Sequence, residues 1–322
     1  MENVKIDITI QHDGTTYKPA VLEEVTVEWT RFGAPGKMVL SVIDDDTLKF
    51  GEGDTVRFKL NDKNFFFGFV FIIERTGINQ YQLTCYDAIR YLKSSDIFKM
   101  KKCTYTKALK TVTKRYGLKN GKIANTKYVR KAKVFNCCIL DMLEDYRKHT
   151  KQSTGINYLL YADYNKICLQ PQSALATDYI LEAKLMENFT YTSSIDDKVY
   201  TVVKLYKGSG KKMKVYSKTV TKAKKKYGRL TYVAETKLKS KAKIKKKLKS
   251  IAEAHDSPRK KVTLQGVFGL DDIRAGSKVK VKITEGGLKI NRNMIVDTVT
   301  HRFNQGRHTM DLNVFGGDYK LG

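Results

Sequence analysis

Proline is nearly missing from this sequence: four occur in 322 residues, at positions 19, 35, 171 and 258. With no Ser/Pro-rich linker to string domains apart, they are expected to be pressed together or inserted in one another. Cysteine is scarce and odd in number, with Cys85, Cys103, Cys137, Cys138 and Cys168 and no CxxC pair. That pattern argues against a disulfide framework or a cysteine-rich zinc site, and leaves the thiols as small buried hydrophobes of a reducing compartment. No His/Cys cluster has metal-ligand spacing. The most apolar window, FFFGFVFII at 65–73, is roughly half of the ~20 residues a membrane helix needs. The start, MENVKIDITI, lacks the basic residues and apolar run of a signal peptide. A soluble chain made in the cytoplasm is expected, with no membrane partner in its free form.

Acid is also short, with 33 Asp and Glu against 61 Lys and Arg. The imbalance is local. From Lys204 to Lys261 there are 22 basic residues and three acids (Glu235, Glu253, Asp256), which is +19 of the total +28. The remainder is only mildly basic, and its 41% apolar content is enough for real cores.

The first hundred residues alternate with the period of a half-buried strand. In VTVEWT, Val25, Val27 and Trp29 share one face; in GDTVRFKL, Val56, Phe58 and Leu60 do. Pro35-Gly36 and NDKN at 61–64 read as turns, Gly68 in FFFGFVFIIER as a bulge or close approach, and YQLTCYD closes the set. Such short strands suggest a small antiparallel barrel or sandwich. From about 99 the period becomes helical. Ala108, Leu109, Val112 and Tyr116 stop at Gly117, and Ile139, Leu140, Leu143 and Tyr146 follow a candidate N-cap at Asn136. A hairpin turning at 163–166 completes an α+β insert. Strands return near 188, and a helix carrying Ile244, Leu248 and Ile251 lies in the lysine-rich stretch before strands resume after Pro258.

GDTVRFKL at Gly53 recurs as GSKVKVKI at Gly276, 223 positions on. At that offset FIIE (71–74) falls on MIVD (294–297), and after six inserted residues Tyr81, Leu83 and Cys85 fall on Met310, Leu312 and Val314. An internal duplication accounts for this. The expected fold is α+β and β-rich: two similar small antiparallel β-barrels with two α/β inserts. The expected domains are 1–98, a first barrel; 99–178, an α+β insert; 179–206 plus 258–322, a second barrel; and 207–257, a lysine-rich insert.

The Gly-strand, hairpin and IVDTVTHRFNQGRHTMDLNV resemble the closing segment of late-control-protein-D-like tail hub proteins. The order VEWT, Gly-strand, FGFVFIIER, YDAIRYLKSS, two helices and TGINYLL is similar to hubs of contractile phages and R-type bacteriocins. The resemblance spans most of the chain as an order of elements with loose consensus. The lysine-rich segment departs from it. It implies a tube-like first barrel and a structural, non-enzymatic baseplate hub within a virion or phage-tail-like particle. As a homotrimer carrying six barrels, such a hub joins a sixfold tail tube protein to a threefold central spike protein beside other baseplate proteins.

No catalytic constellation is legible, and no catalytic, cofactor or metal residues are assigned. His301 and His308 flank a turn of the last hairpin and are read as ordinary surface histidines. GSGKK at 208–212 lacks phosphate-loop spacing. Asp141, Glu144 and Asp145 lie on one side of a helix and are read as exposed surface acids. The candidate interaction surface is basic: Lys211, Lys212, Lys222, Lys224, Lys225, Lys226, Lys241, Lys245, Lys246 and Lys247. Three readings stay open for it: a solvated face, contact with an acidic protein neighbour, or binding of nucleic acid or a wall polyanion. Nucleic acid is the least favoured, because the segment is nearly all lysine with only scattered tyrosines. A polyanion-binding module is the alternative to the hub.

Overall fold

The computed structural model describes residues 4–196, 198–285 and 288–316. It is β-rich with few helices. The chain divides into two compact units: one runs to Phe189 and resumes over Leu264–Val314, the other holds Thr190–Thr263.

The first unit begins with β1 (Ile6–His12), β2 (Thr15–Tyr17), β3 (Ala20–Thr30), β4 (Lys37–Ile43), β5 (Thr55–Leu60), β6 (Lys63–Gly77) and β7 (Gln80–Tyr86). The alternation does what the sequence suggested. Met38, Leu40 and Val42 of β4 and Val56, Phe58 and Leu60 of β5 are all buried in one core. Asn61 and Asp62 take left-handed φ of 48° and 62° between β5 and β6, the conformation a tight hairpin turn needs. Gly68 is a close approach: a Cβ there would lie 2.6 Å from the Phe66 ring and 2.7 Å from the Tyr86 carbonyl oxygen.

Next come β8 (Ser95–Met100), β9 (Cys103–Thr104), α1 (Tyr105–Arg115), β10 (Asn120–Ile123), β11 (Val129–Arg130), β12 (Lys133–Cys138), α2 (Ile139–Thr154), β13 (Tyr158–Asp163) and β14 (Lys166–Pro171). Both helices turn the expected residues into a second core. Asn136 does not cap α2. It pairs with Ile97 because β12 runs on to Cys138 against β8, and Cys138 is the N-cap. Cys85, Cys103 and Cys168 are buried, whereas Cys137 and Cys138 are only half-buried.

Beyond β15 (Ala176–Glu182) and β16 (Asn188–Ser194) the second unit contains β17 (Val202–Lys207), β18 (Lys214–Thr219), α3 (Thr221–Tyr227), β19 (Thr231–Glu235) and α4 (Lys241–Ala254), before β20 (Arg259–Phe268). β17 is the centre of a small sheet, antiparallel to β18 and parallel to β19. The sequence reading placed 179–206 with a second barrel. Here Val203 and Leu205 pack instead under Ile244, Leu248 and Ala252 of α4. The short helix thus has an apolar partner, without which it would be marginal in water.

The first unit resumes and adds β21 (Lys278–Glu285), β22 (Leu288–Asn304) and β23 (Arg307–Phe315). The duplication is real at the level of hydrogen bonds. Gly53 and Gly276 both have left-handed φ, 93° and 96°. Gly53 N donates to Val70 O (2.8 Å) and Gly276 N to Val296 O (2.7 Å). Val70 N and Val296 N donate back to Asp54 O and Ser277 O, at 2.9 Å each. Past the hairpin the match moves by three positions, so Val70, not Ile73, answers to Val296, because the arms of the second hairpin are longer. The two copies do not form separate closed barrels among the described residues. β3 pairs antiparallel with β22, Thr30 opposite Thr298 through Val25 opposite Phe303, and fuses them into one sheet running β23–β22–β3–β4–β7–β6–β5–β1–β2.

Candidate functional site

The second unit carries the basic surface. A single 3-10 turn, Gly210–Lys212, presents Lys211 and Lys212, and a strand follows it, so no helix N-terminus stands behind GSGKK for a phosphate. Ala223 anchors α3 and leaves Lys222, Lys224, Lys225 and Lys226 exposed. On α4 the buried stripe Ile244, Leu248, Ala252 turns Lys241, Lys245, Lys246 and Lys247 to solvent. None of these ten pairs with an acid among the described residues. The insert's lysine ion pair is Lys249 with Glu253, 3.8 Å apart. Lys241 and Lys245, Lys243 and Lys247, and Lys245 and Lys249 are like charges four apart on one helix, each pair costing about 0.2–0.5 kcal/mol. The helix start holds lysines and no acid, which its dipole also disfavours. The charge therefore works against local stability.

The first unit carries a buried polar centre that sequence reasoning did not find. Asp87 accepts Gly36 N–H on Oδ2 (2.8 Å) and Ile89 N–H on Oδ1 (2.9 Å), and burial pushes its pKa up to about 7. Gly36 is obligatory: a Cβ would stand 2.6 Å from both Asp87 Oδ2 and Trp29 Cδ1. Arg274 is enclosed, donates to Ala162 O (2.7 Å), and lies over the rings of Tyr161 (4.2 Å) and Trp29 (5.3 Å). His301 and His308 are not surface residues. They face inward on β22 and β23, with His301 Nε2 2.9 Å from Ile273 O and His301 Nδ1 2.9 Å from His308 Nε2. With Nε2–H donated to the carbonyl, His301 accepts from His308. Burial lowers His301 to about 3 and His308 to about 4, so both are neutral. Trp29, Phe65 and Phe303 pack around them. No third metal ligand joins the pair among the described residues. The centre ties β3 and β6 of the first copy, Tyr161 and Ala162 of the insert, and β22 and β23 of the second copy. It is a structural rivet.

Of the three acids of α2, Asp141 is exposed and the other two are held in ion pairs. Glu144 holds Arg147 (2.6 Å), and Asp145 holds Arg130 (2.6 Å) with Lys133 and His149 at 3.8 and 3.7 Å. They form no acid/base couple. Among the described residues no helix is long and apolar enough to cross a membrane.

The β-rich sheet that carries the hairpin twice is similar in fold to phage tail proteins. The prophage MuSo2 43 kDa tail protein from Shewanella oneidensis matches it with a TM-score of 0.72 at 11% identity, over 96% of this chain and 98% of that one. The E. coli c3393 protein, a type VI secretion system component described as structurally similar to T4 tail proteins gp27 and gp5, matches with 0.58 at 11%, over 97% and 78%. The chain belongs to the YQBQ-like family, whose model matches residues 25–315. Two Bacillus subtilis (strain 168) relatives are similar over 93% of this chain and 94% of their own length: YqbQ, 29% identical, and XkdQ of the phage-like element PBSX, 27% identical. The late-control-D-like resemblance thus holds at the level of phage tail proteins, and the family matched is the YQBQ-like one.

Proposed function

We propose that this chain is a structural, non-enzymatic hub of a phage tail or phage-tail-like particle, acting as a trimer between a sixfold tail tube and a threefold central spike. One observation carries the reading. A single chain holds two copies of the same Gly-initiated hairpin, with matching hydrogen bonds at Gly53 and Gly276, in one sheet. Three such chains present six equivalent elements to a sixfold partner while remaining threefold themselves, and head-to-tail contacts close such rings. The tail-protein fold and the PBSX relative support a place in such a particle. The lysine surface of the second unit serves to steer the hub onto an acidic neighbour in the assembly, an attraction screened beyond roughly 8–10 Å at ordinary salt. The test is native mass of nuclease-treated protein at moderate salt, with and without its spike. A mass of three chains in either condition is expected, and a single chain in both contradicts the hub.

The unpaired lysines favour a second reading, a polyanion-binding module. Retention on a polyphosphate or single-stranded DNA column, lost when Lys241, Lys245, Lys246 and Lys247 become Gln, is its signature. If retention is unchanged in that variant, this reading fails.

A further inference from the structure

The fused sheet leaves one place unmatched between the two copies. On β22 the pairing with β21 ends at Lys278 opposite Ile295, and on the same strand β3 takes over, from Thr30 opposite Thr298 to Val25 opposite Phe303. β6 is built the same way up to that point. Its pairing with β5 ends at Thr55 opposite Phe69, and the Gly53–Val70 bond follows. β6 then steps past an extra residue against β7, and strict alternation breaks in both strands: Val70 is buried and Ile73 half-buried, as Val296 and Val299 are buried. From Ile72 to Gly77, however, β6 pairs only with β7 among the described residues, and nothing occupies the side that β3 occupies on β22.

An open strand edge of this length is a template for another strand. Two devices that blunt an edge are present, the exposed charges of Glu74 and Arg75 and a register shift at each end, but IIERTG holds no proline or lysine and Ile72 is 43% exposed. The chain also indicates which strand fits. In the first copy β3 pairs beside β4; in the second copy the strand paired beside β20, at the end of the sheet, is β16. β16 has the build of an edge strand, with half-buried Phe189 and Tyr191 alternating with exposed Asn188, Thr190 and Thr192.

We infer that the Ile72–Gly77 edge of β6 receives β16 of a second copy of this chain, repeating between chains the joint that β3 and β22 make within one. This rests on the hub reading and specifies its contact. Each chain brings one filled joint, one open acceptor and one donor. A ring of three then has six like joints, alternately within and between chains, and the open edges of β6 and β16 are covered. The contact is strand addition, with main-chain hydrogen bonds supplying affinity and the alternating side chains register.

The test is disulfide trapping in the full chain. With Cys137 and Cys138 replaced by Ser, cysteine is placed at Ile72 or Glu74 together with Thr190 or Thr192, four combinations in all. Mild oxidation is expected to give a ladder ending at three chains in at least one combination and none with either cysteine alone. In parallel, Ile72→Lys should abolish assembly while the circular dichroism and Trp29 fluorescence of the monomer stay unchanged. A trimer that forms but yields no cross-link in any combination, or that tolerates Ile72→Lys, overturns this joint and leaves the hub standing. A chain that remains monomeric with and without its spike overturns both.

Discussion

Acidification should weaken the first unit, and three buried groups set the size of the effect. His301 and His308 titrate near 6.5 when unfolded but are held to about 3 and about 4 in the folded chain. Below pH 6.5 the unfolded chain takes up two protons that the folded chain refuses, so their contribution is complete above 6.5 and is lost as pH falls. Asp87 acts in the opposite sense. Raised from 3.8 to about 7, it keeps a proton in the folded chain that the unfolded chain releases, so its contribution is lost as pH rises through that window. Between about pH 4.5 and 6.5 the unfolded state binds a net one proton more, and stability falls by about 1.4 kcal/mol per unit of acidification. Asp87→Asn removes the opposing proton, and the slope should double to about 2.7 kcal/mol per unit. His308→Gln removes one of the two histidine protons, and the slope should fall to about zero. Urea unfolding followed by Trp29 reads the unit directly, since this sole tryptophan lies 5.2 Å from His301. Comparing slopes rather than midpoints cancels whatever each substitution costs at every pH. Equal slopes in all three proteins would refute the assignment of buried, neutral imidazoles opposed by a protonated carboxyl.

Gly53→Ala and Gly276→Ala should differ although the backbone is the same. Both force a side chain into left-handed φ, at about 1–2 kcal/mol, but position 53 is open while a Cβ at 276 would meet Leu159 Cδ1 at 2.4 Å. The second variant should be the less stable by a further 1–3 kcal/mol or so in urea unfolding. Leu248→Ala, beneath α4, should cost about 2–5 kcal/mol and raise hydrogen exchange in Val203, Leu205 and α4, whose core it shares. Raising sodium chloride from 0.05 to about 0.5 M should slow proteolysis within 204–261 by screening the lysine repulsion; faster cleavage would contradict the electrostatic account of that surface.

What the sequence disclosed follows from the range of each signal. Val56, Phe58 and Leu60 announce their strand because alternation is local, and the Gly53–Gly276 match survives because a glycine-requiring φ constrains the residue type. The helices over 105–115 and 139–154 were legible from their stripes, but Asn136 misled, since only the partner strand β8 extends β12 past it. β17 alternates as a barrel strand would, and nothing within it tells that its apolar face waits for α4, some forty residues on. His301 and His308 occupy inward positions that the flanking Val299, Phe303, Met310 and Leu312 define, so their burial was readable, though the bond between them was not. Asp87 with Gly36 and Arg274 with Ala162 join residues far apart in the chain, and the β3–β22 joint does the same; such pairings leave no local periodicity.

The central claim is that one chain supplies two like elements to a ring. Electron microscopy of the assembled protein, averaged without imposed symmetry, tests it most directly. The account requires a ring of six similar lobes whose true symmetry is threefold. A ring of true sixfold symmetry built from six chains, or particles with no ring at all, would contradict it.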